Sequence, residues 1–249
     1  MILLKSKDEV KKMKKAGIIV AKTLKHLKSR VKPGITTRQL DIEAENFIKE
    51  YKATAAFKGY HGYPGNICAS INEEVVHGIP SDRALLDGDI LSIDFGVKLD
   101  GYFGDSAITI GVGKISSESQ RLMDVTRDAL YKGIEQARKG NYLSDISHAV
   151  QTYAEKARFS IVRDFVGHGI GVDLHEEPQI PNFGKPGNGV KLQAGMVLAI
   201  EPMVNAGTWK VEVLADGWTA VTRDNALSAH FEHTICITNN KAEILTALN

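Results

Sequence analysis

Small or apolar residues at Val10, Met13, Gly17, Val20, Leu24, Leu27 and Val31 recur every three or four positions, with lysines between them. That period predicts an amphipathic helix with one buried stripe. Pro33-Gly34 ends it. The stretch "TTRQLDIEAENFIKEYKA" predicts a second helix, opened by Thr36 or Thr37, either of which can cap it. A loop rich in Gly, Tyr and Asn follows, "KGYHGYPGNICASIN", and after Pro80 a polar turn leads into "ILSIDFGVKLDGYFGDS", Ile90 to Ser106. There the pattern switches to strand-like alternation, folded at Asp100-Gly101, a strong hairpin signal.

The pattern then repeats. "VKPGITTRQLDIEAENF" aligns with "ARKGNYLSDISHAVQTY", placing Gly34 over Gly140 and Leu40 over Ile146. "GYHGY" aligns with "GHGIG", placing His61 over His168, and "LLDGDILSIDF" aligns with "KLQAGMVLAIEP", placing Asp94 over Glu201. The offset stays at 106 to 107 residues throughout. A constant offset predicts a duplicated helix–helix–strand unit, with halves of approximately 1–112 and 113–249 forming a single domain. Shared strands with helices on one side make an α+β arrangement, with a site between the halves.

Within this pattern the acidic residues are out of place. Folding at Asp100-Gly101 puts Asp94 and Asp105 on one face of adjacent strands, directly opposite or diagonal, about 5 to 8 Å apart at Cβ. Two carboxylates that close require a shared proton or a cation between them. Glu201 closes the apolar run "MVLAI" before Pro202, and Glu232 lies in the alternating stretch "SAHFEHTICIT". His168 is flanked by glycines, which allow close backbone approach. Oxygen donors with one imidazole suit Mn, Fe, Co or Zn rather than a thiolate site. Five donors exceed one tetrahedral ion and suit two ions about 3.5 to 4 Å apart sharing a water. His77 and His175 are candidates to bond a substrate carbonyl or leaving nitrogen. His61 is expected behind the ligands, His230 on the face of Glu232, and His233 pointing away; His26 and His148 fall on helix surfaces.

Composition narrows the field. A net charge of +1 argues against a dedicated nucleic-acid binder, although the first 32 residues hold eleven Lys or Arg against Asp8 and Glu9. Two cysteines, Cys68 and Cys236, give neither a disulfide framework nor a CxxC pair. No apolar run is long enough to cross a bilayer, and "MILLKSKDEVKKMKK" has no signal-peptide core. The expectation is a cytoplasmic protein with no membrane association.

The segments "GYHGYPGNICASINEEVVHGIP", "SIDFGVKLDGYFGDSA", "GHGIGVDLHEEP", "IEPMV" and "DGWTAVTRDNALSAHFEHT" resemble, in order and spacing over almost the whole chain, type I methionine aminopeptidases of the M24-like metallopeptidases. The resemblance implies the pita-bread fold, a pseudo-twofold duplication around a curved, largely antiparallel sheet. It implies two divalent ions, from among Co, Mn, Fe, Ni and Zn. Asp94 would chelate one, His168 and Glu201 the other, and Asp105 and Glu232 would bridge. A bridging water would attack the carbonyl after an initiator methionine whose neighbour is small. Glu201 would shuttle its proton, His175 stabilise the oxyanion, and His77 meet the scissile nitrogen. Tyr60, Tyr63, Cys68 and Trp218 match the methionine slot. Phe57 replaces a Cys of some members, Leu174 a common aromatic, and His230 a frequent Gln, so the slot and the surroundings of Glu232 are expected to differ from theirs. A monovalent-ion site would involve Asn72 and Ser228. The implied partners are nascent-chain N-termini and, through the basic first helix, the ribosome; the chain would act as a monomer. The sequence shows no Cys/His cluster before the first helix and only 30 residues between Glu201 and Glu232, too few for a type II insert. The competing expectations are a proline-specific peptidase of the same fold, a non-catalytic scaffold, and a metal-storage or sensing protein. The first usually carries a large extra domain, the second loses ligands, and the third needs no aromatic slot.

Overall fold

A computed structural model describes residues 2–248. Helix α1 spans Lys7–Arg30 and opens on a reciprocal cap, in which Ser6 Oγ accepts from the Glu9 amide and the Glu9 carboxylate accepts from the Ser6 amide. Two otherwise unsatisfied N–H groups are met this way. Met13, Gly17, Val20, Leu24 and Leu27 of the predicted stripe are buried, and Val10 and Val31 partly so. Helix α2 spans Thr37–Lys49, and Thr36 is its cap, accepting from the Gln39 amide. Thr37 instead exchanges hydrogen bonds with the Ser81 backbone. Helices α3, Ser117–Gln136, and α4, Leu143–Lys156, occupy the same order in the second half.

The strands Ile90–Leu99 and Tyr102–Gly111 form the predicted hairpin, with Asp100 at φ 49° and Gly101 at φ 83° in the turn. Strand Cys68–Ile71 pairs along the other edge of Ile90–Leu99. In the second half Val197–Ile200 plays the central part, between His233–Cys236 and Gly167–Gly169. Among the described residues all ladders are antiparallel. Leu40 of α2 and Ile146 of α4, aligned in the repeat, are both fully buried, the first in one apolar cluster with Leu91, Ile93 and Phe95, the second in another with Leu198, Ile200 and Ile235. Helix α1 lies so close to the hairpin that a Cβ on Gly104 would sit 2.8 Å from the Gly17 nitrogen. The result is the expected α+β architecture.

Two features depart from the sequence reading. "SAHFEHTICIT" is two strands, not one: Ser228–His230 pairs with Met203–Asn205, and His233–Cys236 pairs with Val197–Ile200. The ladder is interrupted where Glu201-Pro202 faces Phe231-Glu232, and Pro202 has no N–H to continue it. The motif alignment of His61 with His168 also fails. Ser70 pairs with Ser92 and His168 with Ala199, so at the common offset His168 corresponds to Ser70, whereas His61 sits on the short 3-10 turn Tyr60–Gly62. Short Gly- and aromatic-rich motifs align by composition without sharing a place in the ladder.

Candidate metal centre

Asp94 pairs with Ala107, and Asp105 with Gly96, so the two aspartates are diagonal neighbours on one face of the hairpin. Gly96 leaves room for the carboxylate, since a Cβ there would sit 3.2 Å from Asp105 Oδ1 and 2.9 Å from Ala56 Cβ. The second half meets this face through backbone bonds. Thr234 Oγ1 accepts from the Asp105 amide at 3.1 Å and donates to its carbonyl at 2.7 Å. The Glu232 amide, freed by the ladder break, donates to the Ala107 carbonyl at 2.9 Å. Asn182 donates to the Glu201 carbonyl at 2.9 Å. His168 is held by Nδ1 donating to the Gly169 carbonyl at 2.9 Å, which leaves Nε2 as the free donor atom, 3.5 Å from Glu201 Oε1. The glycines beside it have a steric purpose: a Cβ on Gly167 would strike the Ala199 carbonyl, and one on Gly169 the Glu177 carbonyl.

One donor atom each from Asp105, His168 and Glu232 lies within 4.8 Å of the other two. Glu201 joins this group beside His168, and Asp94 beside Asp105, each aspartate shifting the other's proton affinity. Burial pushes Asp94 up to about 7, partly offset by a hydrogen bond to Asp105. Burial, reinforced by neighbouring carboxylates, pushes Asp105, Glu201 and Glu232 well above the ordinary range. Burial holds His168 down to about 3. Among the described residues, Asp94 Oδ1, Asp105 Oδ1 and Glu232 Oε1 are buried without a hydrogen-bond partner. Buried carboxylates left unpaired are costly, and carboxylate oxygens with one neutral imidazole are the donor set of divalent first-row ions. The residues therefore fit a divalent metal site.

A cavity of about 390 Å³ opens onto this cluster, and every site candidate except His230, Asn72 and Ser228 lines it. Tyr63 stands as a rigid wall, its hydroxyl donating toward the carbonyls of Gly78 at 2.8 Å and Ile67 at 3.1 Å, with Trp218 edge-on at 5.1 Å. Cys68, Phe57 and Leu174 are buried in the lining. His175 stacks edgewise on His168 at 4.2 Å, and its Nδ1 lies 2.7 Å from the Tyr60 hydroxyl. His77 takes a left-handed backbone, φ 61°, and burial holds it down to about 4, neutral at pH 7. His61 is exposed at the rim against Tyr60. His230 is buried behind the cluster, its unpartnered Nε2 3.7 Å from Glu201 Oε2. His233 turns away, toward Thr246 and Tyr131. Asn72 and Ser228 meet directly, the Ser228 amide donating to the Asn72 carbonyl at 2.8 Å. Sequence reasoning missed Thr234 and Asn182, which act on backbone, and Phe165, whose ring meets His77 perpendicularly at 5.4 Å. An aromatic three residues before His168 was the one signal for Phe165.

Residues 11–239 match the model of metallopeptidase family M24. The chain belongs to metallopeptidase family M24. Among its M24 relatives, it is 57% identical to "Methionine aminopeptidase 1" of Bacillus subtilis, over 99% of both chains. Among solved M24 structures, it is similar to the methionine aminopeptidase of Thermotoga maritima, with a TM-score of 0.98, 48% identity and full coverage of both chains. The Rickettsia prowazekii methionine aminopeptidase superposes equally well, at 0.98 with 46% identity, over 99% of this chain and 100% of that one. The M24 chain thus has the pita-bread fold expected from its motifs.

Proposed function

We propose that the protein is a metal-dependent aminopeptidase that removes the initiator methionine from nascent chains when the second residue is small. The observation that carries this is a single cavity whose apolar and aromatic walls end on the carboxylate and imidazole cluster. Relatives called methionine aminopeptidases, similar over nearly the whole chain, support the same reading.

Asp94, Asp105, His168, Glu201 and Glu232 would hold two divalent ions, drawn from Co, Mn, Fe, Ni and Zn. When bound, such ions lower the pKa of a shared water toward neutrality and polarise a carbonyl oxygen. Glu201, the carboxylate nearest both His168 and His230, accepts a proton and passes it to the leaving amine. His175 donates to the developing oxyanion in the tautomer whose Nδ1 accepts from the Tyr60 hydroxyl and whose proton is on Nε2. Neutral His77 meets the scissile nitrogen. Tyr60, Tyr63, Cys68, Trp218, Phe57 and Leu174 form the methionine slot, apolar and polarizable as a thioether requires. His61 at the rim and His230 behind Glu201 act on substrate and ligand orientation. A monovalent cation near Asn72 and Ser228 would brace the strand leading to Glu232.

Residues 1–249 act as a single domain of two related halves, and the chain works as a monomer in the cytoplasm. None of its described helices is long and apolar enough to cross a membrane. Lys11, Lys12, Lys14 and Lys15 offer a basic face for transient ribosome contact. Reversing their charges should weaken ribosome co-sedimentation, and unchanged co-sedimentation would dismiss that contact.

The functional reading is tested with metal-stripped protein, Met-Ala-Ser and Met-Leu-Ser peptides, and separate additions of Mn, Fe, Co, Ni and Zn, with Glu201→Ala as control. Metal-dependent methionine release from the Ala peptide alone, lost in the control, is the expected result. Release from neither peptide despite tight metal binding would overturn the reading.

A further inference from the structure

His175 sits on the segment Gly171–Glu176, which has little regular structure to hold it: the strand Gly167–Gly169 ends before it, and Glu176–Ile180 begins after it. Beyond the Phe103 amide donating to the Gly171 carbonyl at 2.9 Å, the Gly171 amide donating to the Asp173 carbonyl at 3.1 Å and the buried Leu174, its geometry is set by Glu176. Glu176 Oε1 accepts from the Val172 amide at 2.8 Å and lies 3.4 Å from the Asp173 amide, closing the loop on itself. Glu176 Oε2 is taken by the Lys5 ammonium at 2.5 Å, with both side chains almost wholly enclosed, 5% and 10% exposed. Space for this pair exists because residue 171 is glycine; a Cβ there would run into Glu176 Oε1 and the Lys5 side chain. Lys5 is itself fixed, its amide donating to the Gly195 carbonyl at 2.7 Å immediately before the capped start of α1. A buried ion pair is a weak source of stability but a strong orienting device, because removing one partner leaves the other charge uncompensated.

We propose that Lys5 is a positioning residue for His175: through Glu176 it fixes the 171–176 loop and so holds the imidazole against Tyr60 and His168. The inference rests on the functional reading above for its kinetic consequence, but not for its structural one. Misplacing a catalytic group by about 1 Å costs on the order of 100-fold in rate. Lys5→Met should therefore lower kcat for Met-Ala-Ser by about 10- to 100-fold, with KM and calorimetric Mn affinity each within about threefold of wild type. Lys5→Arg, which keeps the charge, should recover most of kcat.

Amide hydrogen exchange supplies the readout that does not depend on activity. At Val172 it should speed up at least about tenfold in Lys5→Met and stay near wild type in Lys5→Arg. Where Lys5→Met fails to fold, Lys5→Met/Glu176→Gln carries the test, since the glutamine oxygen still accepts from Val172 without a buried charge. Its Val172 exchange should lie between those of wild type and the single variant, and its kcat below wild type. Unchanged kcat in a folded Lys5→Met protein, unchanged Val172 exchange, or a loss of kcat that follows lost Mn affinity would each overturn the proposal. If wild-type protein releases no methionine at all, the functional reading fails, and the exchange data alone decide whether Lys5 holds the loop.

Discussion

The two halves present their carboxylates in different ways. Asp94 and Asp105 stand on an unbroken hairpin of two ten-residue strands, where register alone sets their diagonal relation. Glu201 and Glu232 stand where the corresponding ladder is interrupted, and their backbones are held from outside it, by Asn182 and by the Ala107 carbonyl of the first half. Short side chains serve where the backbone is already in place, and longer ones where it has stepped away. The difference teaches that the site is built by one half and closed by the other. The first half fixes a rigid acidic face, and the second docks onto it through Thr234 and Glu232.

The largest effect should come from removing a carboxylate at the seam. Asp105→Ala and Glu232→Ala should each lower methionine release by about 1000-fold or more at saturating metal. A residual rate near wild type for either would break the pairing of the halves. Next comes crowding of the rigid half alone. Gly96→Ala pushes on Asp105 and Ala56, and metal affinity measured by calorimetry should fall by about 10- to 100-fold, as for other changes that tilt a ligand. Thr234→Val tests the seam without touching a carboxylate. It strips the Asp105 backbone of two hydrogen bonds, and chemical denaturation should show a loss of about 1 to 3 kcal/mol.

The smallest effect is one of pH on metal-free protein. Folded Asp94 holds its proton up to about 7, and burial holds Asp105, Glu201 and Glu232 well above the ordinary carboxylate range, whereas the unfolded chain releases them near 3.8 to 4.5. The folded state then binds more protons, so these groups make stability fall as pH rises. His168 and His230, near 3, and His77 and His233, near 4, act oppositely, raising stability with pH until the unfolded value of 6.5 is passed. Above pH 6.5 the carboxyls act alone. The Tm of metal-free protein should fall by several degrees between pH 6.5 and 8.5, and saturating Mn should flatten that slope.

The local elements were legible because their causes are local. The helical stripe from Met13 to Leu27, the cap at Thr36 and the turn at Asp100-Gly101 each follow from a few neighbouring residues. The break at Glu232 was not, because "SAHFEHTICIT" alternates without a flaw; the interruption comes from Pro202 on the partner strand and from a hydrogen bond to the other half. The carboxylates were legible as side-chain chemistry out of place, as with Asp94 and Glu201, whereas the wall of Tyr60, Tyr63, Cys68 and Trp218 was expected only from the resemblance of the motifs to a known family. Thr234 and Asn182 carry no such mark, since a hydroxyl or amide that bonds distant backbone looks ordinary in sequence. His230 was expected to share a face with Glu232 through one regular strand. It reaches Glu201 instead, from behind the cavity, because the chain changes sheets between His230 and Glu232.

The central claim is that four buried carboxyls, each with its proton affinity raised by burial, and His168 form one site for two divalent ions. The most direct measurement is calorimetric titration of metal-stripped protein with Mn at pH 7, in buffers of different ionisation enthalpy, beside Asp105→Ala. Two ions per chain, with protons released on binding because the carboxyls must ionise, and both features lost in the variant, is the predicted result. Binding without proton release, or binding that Asp105→Ala leaves intact, would contradict it.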